Sequence, residues 1–274
     1  MPDRMITRLY IPPYPLNNFI EEYFYHKGYI PPHHFERFLP DGAIYLIIDL
    51  SDWPKKLYDN EDFSKYQEFK GGWFSGIRKH YITIGADGGE MIVVRFKPHG
   101  AAPFFKIPME EFRDKVIELD LILGSEFRSL RDHLVNVSLE QKFPVLDTYL
   151  TGLLNRENLT LPFIQFAVET LSGMKNVTLQ RLVEQTGYSH KHFINLFRTN
   201  VGITPKVFNR IMKFQHALVS IESSKSIDWS EISYSCGFYD QAHFINEFRQ
   251  FSGVNPTQYL VDKGEHLNWV PIQR

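Results

Sequence analysis

The sequence has almost no cysteine, no long apolar run and no excess of positive charge, and each absence narrows the class of protein. Cys236 is the single cysteine among 274 residues, so no internal disulfide can form, which predicts a reducing, cytoplasmic environment. No apolar run reaches the ~18 residues of a membrane span, and the first residues lack the pattern of a signal peptide. The formal net charge of -2 by itself indicates no nucleic-acid partner.

Catalytic motifs are missing as well. The sequence contains no P-loop, no dinucleotide fingerprint and no nucleophile elbow. The ligands available for a metal in the first half are Glu36 and the histidines His26, His33, His34, His80 and His99. His33 and His34 are adjacent, so in a strand they would point to opposite faces and could not share one metal ion. We therefore expect a protein that is not an enzyme, with no catalytic residue, no cofactor and no metal.

What the sequence does contain is a repeat. The stretch GYSHKHFINLFRTNVGITP starts at Gly187, and GFYDQAHFINEFRQFSGVNP starts at Gly237. The tetrapeptide His-Phe-Ile-Asn occurs in both copies, and the second copy carries one additional residue shortly after its glycine. Two copies are too few for a solenoid, which needs about three, so they predict two equivalent small modules.

Each copy is predicted to be a helix, a tight glycine turn and a second helix. Gly187 ends the first helix of its unit, and Ser189 is suited to cap the next one. Gly237 and Asp240 are expected to take these two roles in the second copy. This layout is that of a helix-turn-helix motif, whose second helix enters the major groove of DNA. The same layout also occurs as simple core packing, but its repetition with polar exposed positions favours DNA binding.

A local basic stripe accompanies the first unit. Between Gly187 and Phe214 there is no Asp or Glu, and the basic residues are Lys191, Arg198, Lys206, Arg210 and Lys213. Such a stripe matters more for phosphate contact than the net charge of the chain. The alternative interpretation is a solvated helix face without a partner.

The C-terminal stretch, from about Val177 to Leu260, closely resembles the DNA-binding domain of AraC/XylS-type transcription regulators. The matching positions of the first unit are Gly187-Tyr188-Ser189, Phe193, Phe197-Arg198, Gly202 and Pro205. Those of the second unit are Ile232, Gly237-Phe238, Asp240, His243-Phe244, Phe248-Arg249, Gly253, Pro256 and Tyr259. The resemblance implies a cytoplasmic bacterial regulator with two helix-turn-helix units that read adjacent major-groove segments roughly 34 Å apart.

Residue roles follow from the resemblance by motif position. The implied base contacts are Lys191, Ile194 and Asn195 in the first unit and Gln241, Ala242 and Asn246 in the second. Asn and Gln can contact adenine with two hydrogen bonds, and Lys can donate to guanine. The implied contacts to the DNA backbone are His190, Arg198, Lys206, Arg210, Lys213 and Arg249. Packing is the alternative for the arginines, since Arg198 and Arg249 each follow a core phenylalanine.

The N-terminal half has the pattern of short strands and turns, including the hairpin signal in HYITIGADGGEMIVVRF. It resembles the N-terminal domain of a poorly characterised branch of the same family, through Leu39-Pro40-Asp41-Gly42, Gly76-Ile77-Arg78 and Arg95-Phe96-Lys97-Pro98. In the broader family such domains are cupin-like β-barrels that sense small molecules, dimerise, or both. Arg78 and Arg95 are the candidates for binding an acidic group of an effector, with a salt bridge or turn support as the alternative.

The expected fold class is α+β with two domains: an N-terminal cupin-like antiparallel β-barrel with helices, and a C-terminal all-α domain. The expected bounds are about 1–158 for the first domain (barrel 1–107, helices 108–155) and 159–274 for the second. Within the second domain we expect helix-turn-helix units at about 177–200 and 228–251 and a linker helix at about 205–221.

Partners follow from this assignment. Double-stranded promoter DNA is the main one, with RNA polymerase and a small-molecule effector as further partners and no membrane. The amphipathic segment Met109–Leu134 is expected to form a homodimer contact, and packing against the barrel is the alternative. A competing function is an enzyme fused to a DNA-binding module, in which Cys236 would accept an alkyl group. A third is a DNA-binding structural protein without an effector.

Overall fold

Two antiparallel sheets form the N-terminal part of the protein. The computed structural model describes residues 5–86, 88–155, 159, 161–173, 179–224, 226–264 and 266–272. Its strands are β1 Ile6–Tyr10, β2 Ile20–Lys27, β3 Phe35–Phe38, β4 Ile44–Asp49, β5 Lys55–Tyr58, β6 Tyr66–Phe69, β7 Gly72–Ser75, β8 Ile82–Gly85, β9 Glu90–Phe96, β10 Val116–Glu118 and β11 Trp269–Ile272. The first sheet has the order β1-β2-β9-β4-β7-β10, and the second has the order β11-β3-β8-β5-β6.

The expected α+β class is confirmed, but the described strands form two open sheets rather than a closed barrel. β1 and β10 are the edges of the first sheet, and β11 and β6 are the edges of the second. Alternation of apolar and polar residues is the same along a barrel strand and a sandwich strand, so the sequence pattern could not separate the two architectures.

Three helices cover one face of the first sheet: α1 Leu119–Leu123, α2 Ser125–Asn136 and α3 Leu139–Leu153. The apolar residues of α2, Phe127, Leu130 and Leu134, are buried in the core that this face forms. The stripe in which the sequence predicted a dimer contact is therefore occupied by packing within the chain. The homodimer itself stays a prediction.

The C-terminal part is helical, with short turns. Its helices are α4 Pro162–Ser172, α5 Leu179–Glu184, α6 His190–Val201, α7 Pro205–Ser223, α8 Trp229–Ser235, α9 Gln241–Ser252 and α10 Pro256–Asp262. The domain boundary expected at 158/159 adjoins residues 156–158 and 160, which lie outside the described residues. No helix in the described ranges is long and apolar enough to cross a membrane.

The two parts are packed directly against each other. A Cβ added to Gly202, at the end of α6, would lie 2.7 Å from Ile77 Cγ2 and 3.0 Å from the Met109 carbonyl oxygen. On α7, the Gln215 amide donates to the Pro40 carbonyl at 2.7 Å. These contacts show that the helical part packs closely against the N-terminal part, with backbone atoms of the two parts near each other.

The chain then returns to the N-terminal sheets through β11. Trp269 pairs with Phe38 and Ile272 with Phe35, so the last strand becomes the edge of the second sheet. Val270 is buried there, and the Tyr259 hydroxyl of α10 donates to the Leu267 carbonyl just before the strand. Residues 159–274 were expected to be all-α, so this strand corrects that expectation.

Candidate functional site

Each second helix of the repeat starts at a capped N-terminus that follows a glycine turn. Gly187 has φ +71°, and Ser189 Oγ accepts the third backbone N–H of α6 at 3.3 Å. Gly237 has φ +74°, and the Asp240 carboxylate accepts the third backbone N–H of α9 at 2.7 Å. Neither helix carries an acidic residue in its first turn, so the positive end of the α6 dipole suits a phosphate, whereas that of α9 already faces the Asp240 carboxylate.

The linker helix α7 fixes the two units relative to each other. Thr204 caps it and Pro205 occupies its first turn, so the helix begins at a defined residue. Phe208 of α7 packs on the first unit, and Phe214 packs on Phe248 of the second unit with ring centroids 5.1 Å apart. Because both units share the apolar face of one helix, their spacing is set by α7.

The residues predicted to contact bases lie on the solvent side of the reading helices α6 and α9. Ile194 is partly buried, and the exposed members are Lys191, Asn195, Gln241, Ala242 and Asn246. The side-chain amide oxygen of Gln241, Oε1, accepts a hydrogen bond from Ser230 Oγ at 3.1 Å, which holds the Gln241 side chain against α8. Contact of these residues with bases stays a prediction, for which the structure supplies exposure and position.

The residues predicted to contact the DNA backbone fall into two groups. His190, Lys206 and Arg249 are exposed to solvent. The others have partners within the protein: Arg198 pairs with Glu110 of the N-terminal part, Arg210 with Glu247 at 2.6 and 2.8 Å, and Lys213 with the Gly237 carbonyl. These three cations therefore hold the reading units in place, while the exposed three are open to a phosphate. Contact of any of the six with DNA stays a prediction.

Tyr239 is a further candidate that is not among the residues predicted from the sequence. Its side chain is 91% exposed and directly precedes Asp240, the cap of α9. It is the additional residue of the second copy, since Ser189 and Asp240 are the equivalent caps. A phenol hydroxyl at the N-terminus of a reading helix can donate to a phosphate oxygen. The one-residue difference in length between the copies is the sequence signal for this position.

The two candidate effector-binding arginines differ in their surroundings. Arg95 forms ion pairs with Glu21 at 2.7 Å and with Asp41 at 3.0 Å, and it also donates to the Tyr45 hydroxyl. Arg78 is 8% exposed, and its Nε and Nη2 both donate to Ser75 Oγ at 3.2 Å. No described carboxylate forms an ion pair with Arg78. The charge of Arg95 is thus compensated by two ion pairs, whereas Arg78 has no ion pair among the described residues and feels the charge of Asp114 from a distance.

The histidines considered as metal ligands differ in their surroundings. Burial lowers the pKa of His26 and that of His99 to about 4, so both rings are neutral at physiological pH. His33 Nε2 lies 2.6 Å from a carboxylate oxygen of Glu36. Within the described ranges no three His, Cys, Asp or Glu side chains are grouped to hold a metal ion.

Cys236 is poorly placed for alkyl transfer. The side chain is buried at the end of α8, and its Sγ lies 3.7 Å from Ser220 Oγ. A thiol must be accessible to act as a nucleophile, and the thiol of Cys236 is buried. Its contacts indicate a structural role in the turn of the second unit.

Comparison with known proteins bears on both parts of the chain. Residues 8–118 match the model of a domain of unknown function (DUF6597), and residues 182–261 match the model of a helix-turn-helix domain. The second match spans both repeat units. The C-terminal domain is an AraC-type helix-turn-helix domain. The expected family resemblance of this part is therefore confirmed.

Curated relatives of the AraC-type domain are transcriptional regulators rather than enzymes. The lactose operon transcription activator of Staphylococcus xylosus is 25% identical over 125 residues, which are 44% of this chain and 42% of that protein. The XylDLEGF operon transcriptional activator of Pseudomonas putida is 30% identical over 99 residues, which are 35% of this chain and 30% of that protein. The chain thus spans less than half the length of either relative.

Solved structures of regulators also resemble the chain. A 1.65 Å structure of ToxT from Vibrio cholerae aligns over 94% of this chain and 98% of that one, with a TM-score of 0.45 and 10% identity. A probable AraC family transcriptional regulator from Rhodopseudomonas palustris aligns over 37% of this chain and 96% of that one, with a TM-score of 0.34 and 23% identity.

Proposed function

We propose that the protein is a sequence-specific DNA-binding transcription regulator, modulated by a small molecule through its N-terminal sheets. The observation that carries this proposal is the pair of capped, solvent-facing helices α6 and α9, fixed on the single helix α7. One chain then presents two reading helices to adjacent major-groove segments of promoter DNA, roughly one helical turn apart.

Electrostatics of the exposed face agrees with this role. The first turns of α6 and α9 lack acidic residues, and Lys191, Lys206 and Arg249 are exposed on or beside these helices. Phosphate contacts provide affinity without sequence information, while the exposed polar residues of the reading helices provide the sequence preference. RNA polymerase and a second copy of the chain are the further partners in this proposal, and the cytoplasm is the expected location.

Modulation is supported by the way the two parts are joined. Arg198 on α6 is ion-paired to Glu110, Gly202 packs on Ile77, and β11 ties the end of the second unit to the second sheet. A change in the N-terminal sheets therefore reaches both reading units through direct contacts. A ligand that favours one packing of this interface over another would shift the DNA-binding equilibrium accordingly.

The test is binding of the full chain to DNA by fluorescence anisotropy across a salt series. The probes are the promoter region upstream of its own coding sequence and a random duplex of equal length. We expect tighter binding to the promoter at every salt concentration, with a linear fall of log affinity with log salt. Equal affinity for both duplexes, even at low salt, would contradict sequence-specific recognition.

A matched pair of lysines separates phosphate contact from structural support. Lys206→Gln removes an exposed charge and is expected to lower the salt slope by about one, with weaker binding to both duplexes. Lys213→Gln removes a cation bound to the Gly237 carbonyl, so its main effect should be on stability. An unchanged salt slope for Lys206→Gln would remove this residue from the interface.

A further inference from the structure

The side of the first sheet that faces away from α2 and α3 carries a transverse apolar row. The register pairs Phe24 with Val93, Val93 with Ile47, and Ile47 with Trp73, so the row crosses β2, β9, β4 and β7. Along β9 the residues of the opposite face are fully buried, namely Ile92, Val94 and Phe96. The residues on the side of the row retain exposure, namely Met91, Val93 and Arg95. β9 is thus packed more closely on one face than on the other.

The second sheet lies over this row, and most apolar side chains on the two facing sides are only partly buried. Phe38 of β3 lies with its ring centroid 5.4 Å from that of Tyr45 of β4, which shows that these two sheet faces oppose each other. The apolar residues on the same side of the second sheet as Phe38 are also only partly buried, namely Leu57, Ile82 and Ile84. None of these residues belongs to the buried core or is packed against it. Partly buried apolar side chains on facing surfaces that lie outside the packed core are typical of the lining of a ligand site.

Arg78 lies at one end of this space. Its acceptor Ser75 is paired in register with Tyr45, and both side chains are on the cavity side of the first sheet. Burial lowers the pKa of Arg78 to about 10, and the charge of Asp114, which is not ion-paired to it, offsets only part of this effect. Arg has five N–H donors, and among the described residues its Nη1 has no acceptor. An anion at this point would satisfy both the charge and the open donor.

We propose that the space between the two sheets binds an organic anion, whose acidic group lies on the Arg78 guanidinium and whose apolar body packs on Phe24, Ile47, Trp73 and Val93. Arg95 is excluded as the anchor because Asp41 and Glu21 already neutralise it. The guanidinium geometry matches a carboxylate or sulfonate, to which it can donate charge-assisted hydrogen bonds.

The position of Arg78 also connects the cavity to the first reading helix, and this regulatory aspect rests on the proposed function. Ile77, its neighbour in the chain, is fully buried and packs against Gly202 at the end of α6. A ligand that binds Arg78 therefore lies next to Ile77, the residue that contacts the AraC-type domain directly at Gly202.

The test uses two fluorescent probes that share one ring system. 8-Anilinonaphthalene-1-sulfonate carries a sulfonate, and N-phenyl-1-naphthylamine is its neutral counterpart. We expect the full chain to bind the sulfonate about tenfold more tightly or better, with energy transfer from Trp73, because a buried charge-assisted pair contributes at least that factor. Arg78→Gln should abolish the preference for the sulfonate probe and leave the affinity for the neutral probe unchanged. Arg113→Gln, which removes an exposed arginine of the same domain, is the matched control and should change neither the affinity for the sulfonate probe nor that for the neutral probe.

Location is tested by Val93→Phe, which fills the space and should weaken binding of both probes. Equal affinity of the wild type for the two probes, or an unchanged preference in Arg78→Gln, would overturn the proposal. If Arg78→Gln does not fold, competition on the wild type decides: decanoate should displace the sulfonate probe at a concentration about tenfold lower than decanol. Equal displacement would overturn it. None of these measurements involves DNA, so their failure is distinct from a failure of promoter binding.

Discussion

Replacing Gly202 with alanine should destabilise the protein more than the same change at Gly187, because only Gly202 is packed against the sheets. Both glycines have positive φ, +95° and +71°, a conformation that costs an L-residue about 1–2 kcal/mol. At Gly187 an added Cβ meets nothing within 4 Å. Gly187→Ala should therefore lower the free energy of unfolding by that amount alone.

At Gly202 the added Cβ would lie 2.7 Å from Ile77 Cγ2 and 3.0 Å from the Met109 carbonyl oxygen. The second atom belongs to the backbone and cannot rotate away, so overpacking adds about 1–3 kcal/mol. We expect a total of about 2–5 kcal/mol for Gly202→Ala. Urea unfolding of both variants, followed by circular dichroism, measures the difference. Equal losses would refute close packing of the reading domain on the sheets.

Three other predictions concern the reading helix, acid stability and the last strand. Tyr239→Phe should weaken binding to all duplexes by about 0.5–1.5 kcal/mol, because a hydrogen bond to a phosphate is lost. The control Tyr234→Phe on α8 should leave binding unchanged. Equal effects of the two substitutions would exclude a contact between the Tyr239 hydroxyl and a phosphate. The pKa of His26 is lowered from 6.5 to about 4, so the unfolded chain gains a proton first and stability falls as pH drops from 6.5 to 4. His26→Gln should flatten this part of the profile of urea midpoint against pH; an unaltered profile would contradict the assignment. Val270→Asp places a charge at a buried position of β11 and should lower the unfolding midpoint while shifting Trp emission, so wild-type behaviour would refute the docking of this strand.

The helical part could be predicted closely because its signals are local. A cap, a glycine turn and an apolar spacing each lie within a few residues, and Ser189 and Asp240 form the expected caps. The exposure of Asn195 and Gln241 follows from the same spacing. These features depend on neighbours in the chain and need no knowledge of the rest of the fold.

What the sequence did not reveal depends on contacts between distant residues. β11 pairs with β3, and nothing local to Trp269 indicates that its partner is Phe38. Arg210 and Glu247 are equally visible in the sequence, but only the packing of α9 on α7 makes them an ion pair. The different surroundings of Arg78 and Arg95 likewise arise from the pairing of strands, so sequence alone gave the two arginines the same role.

The central claim, that two helices of one chain read DNA sequence, is tested most directly by single and double substitution of their base-facing residues. Affinity is measured for the promoter duplex and for random DNA, with Gln165→Ala on α4 as the control for loss of an exposed amide. Asn195→Ala and Gln241→Ala should each cost about 1–3 kcal/mol on the promoter, with unchanged salt slope and unchanged affinity for random DNA. Their effects should be nearly additive, because the residues lie on separate units. Promoter affinity in the double variant equal to that of the wild type would contradict the account.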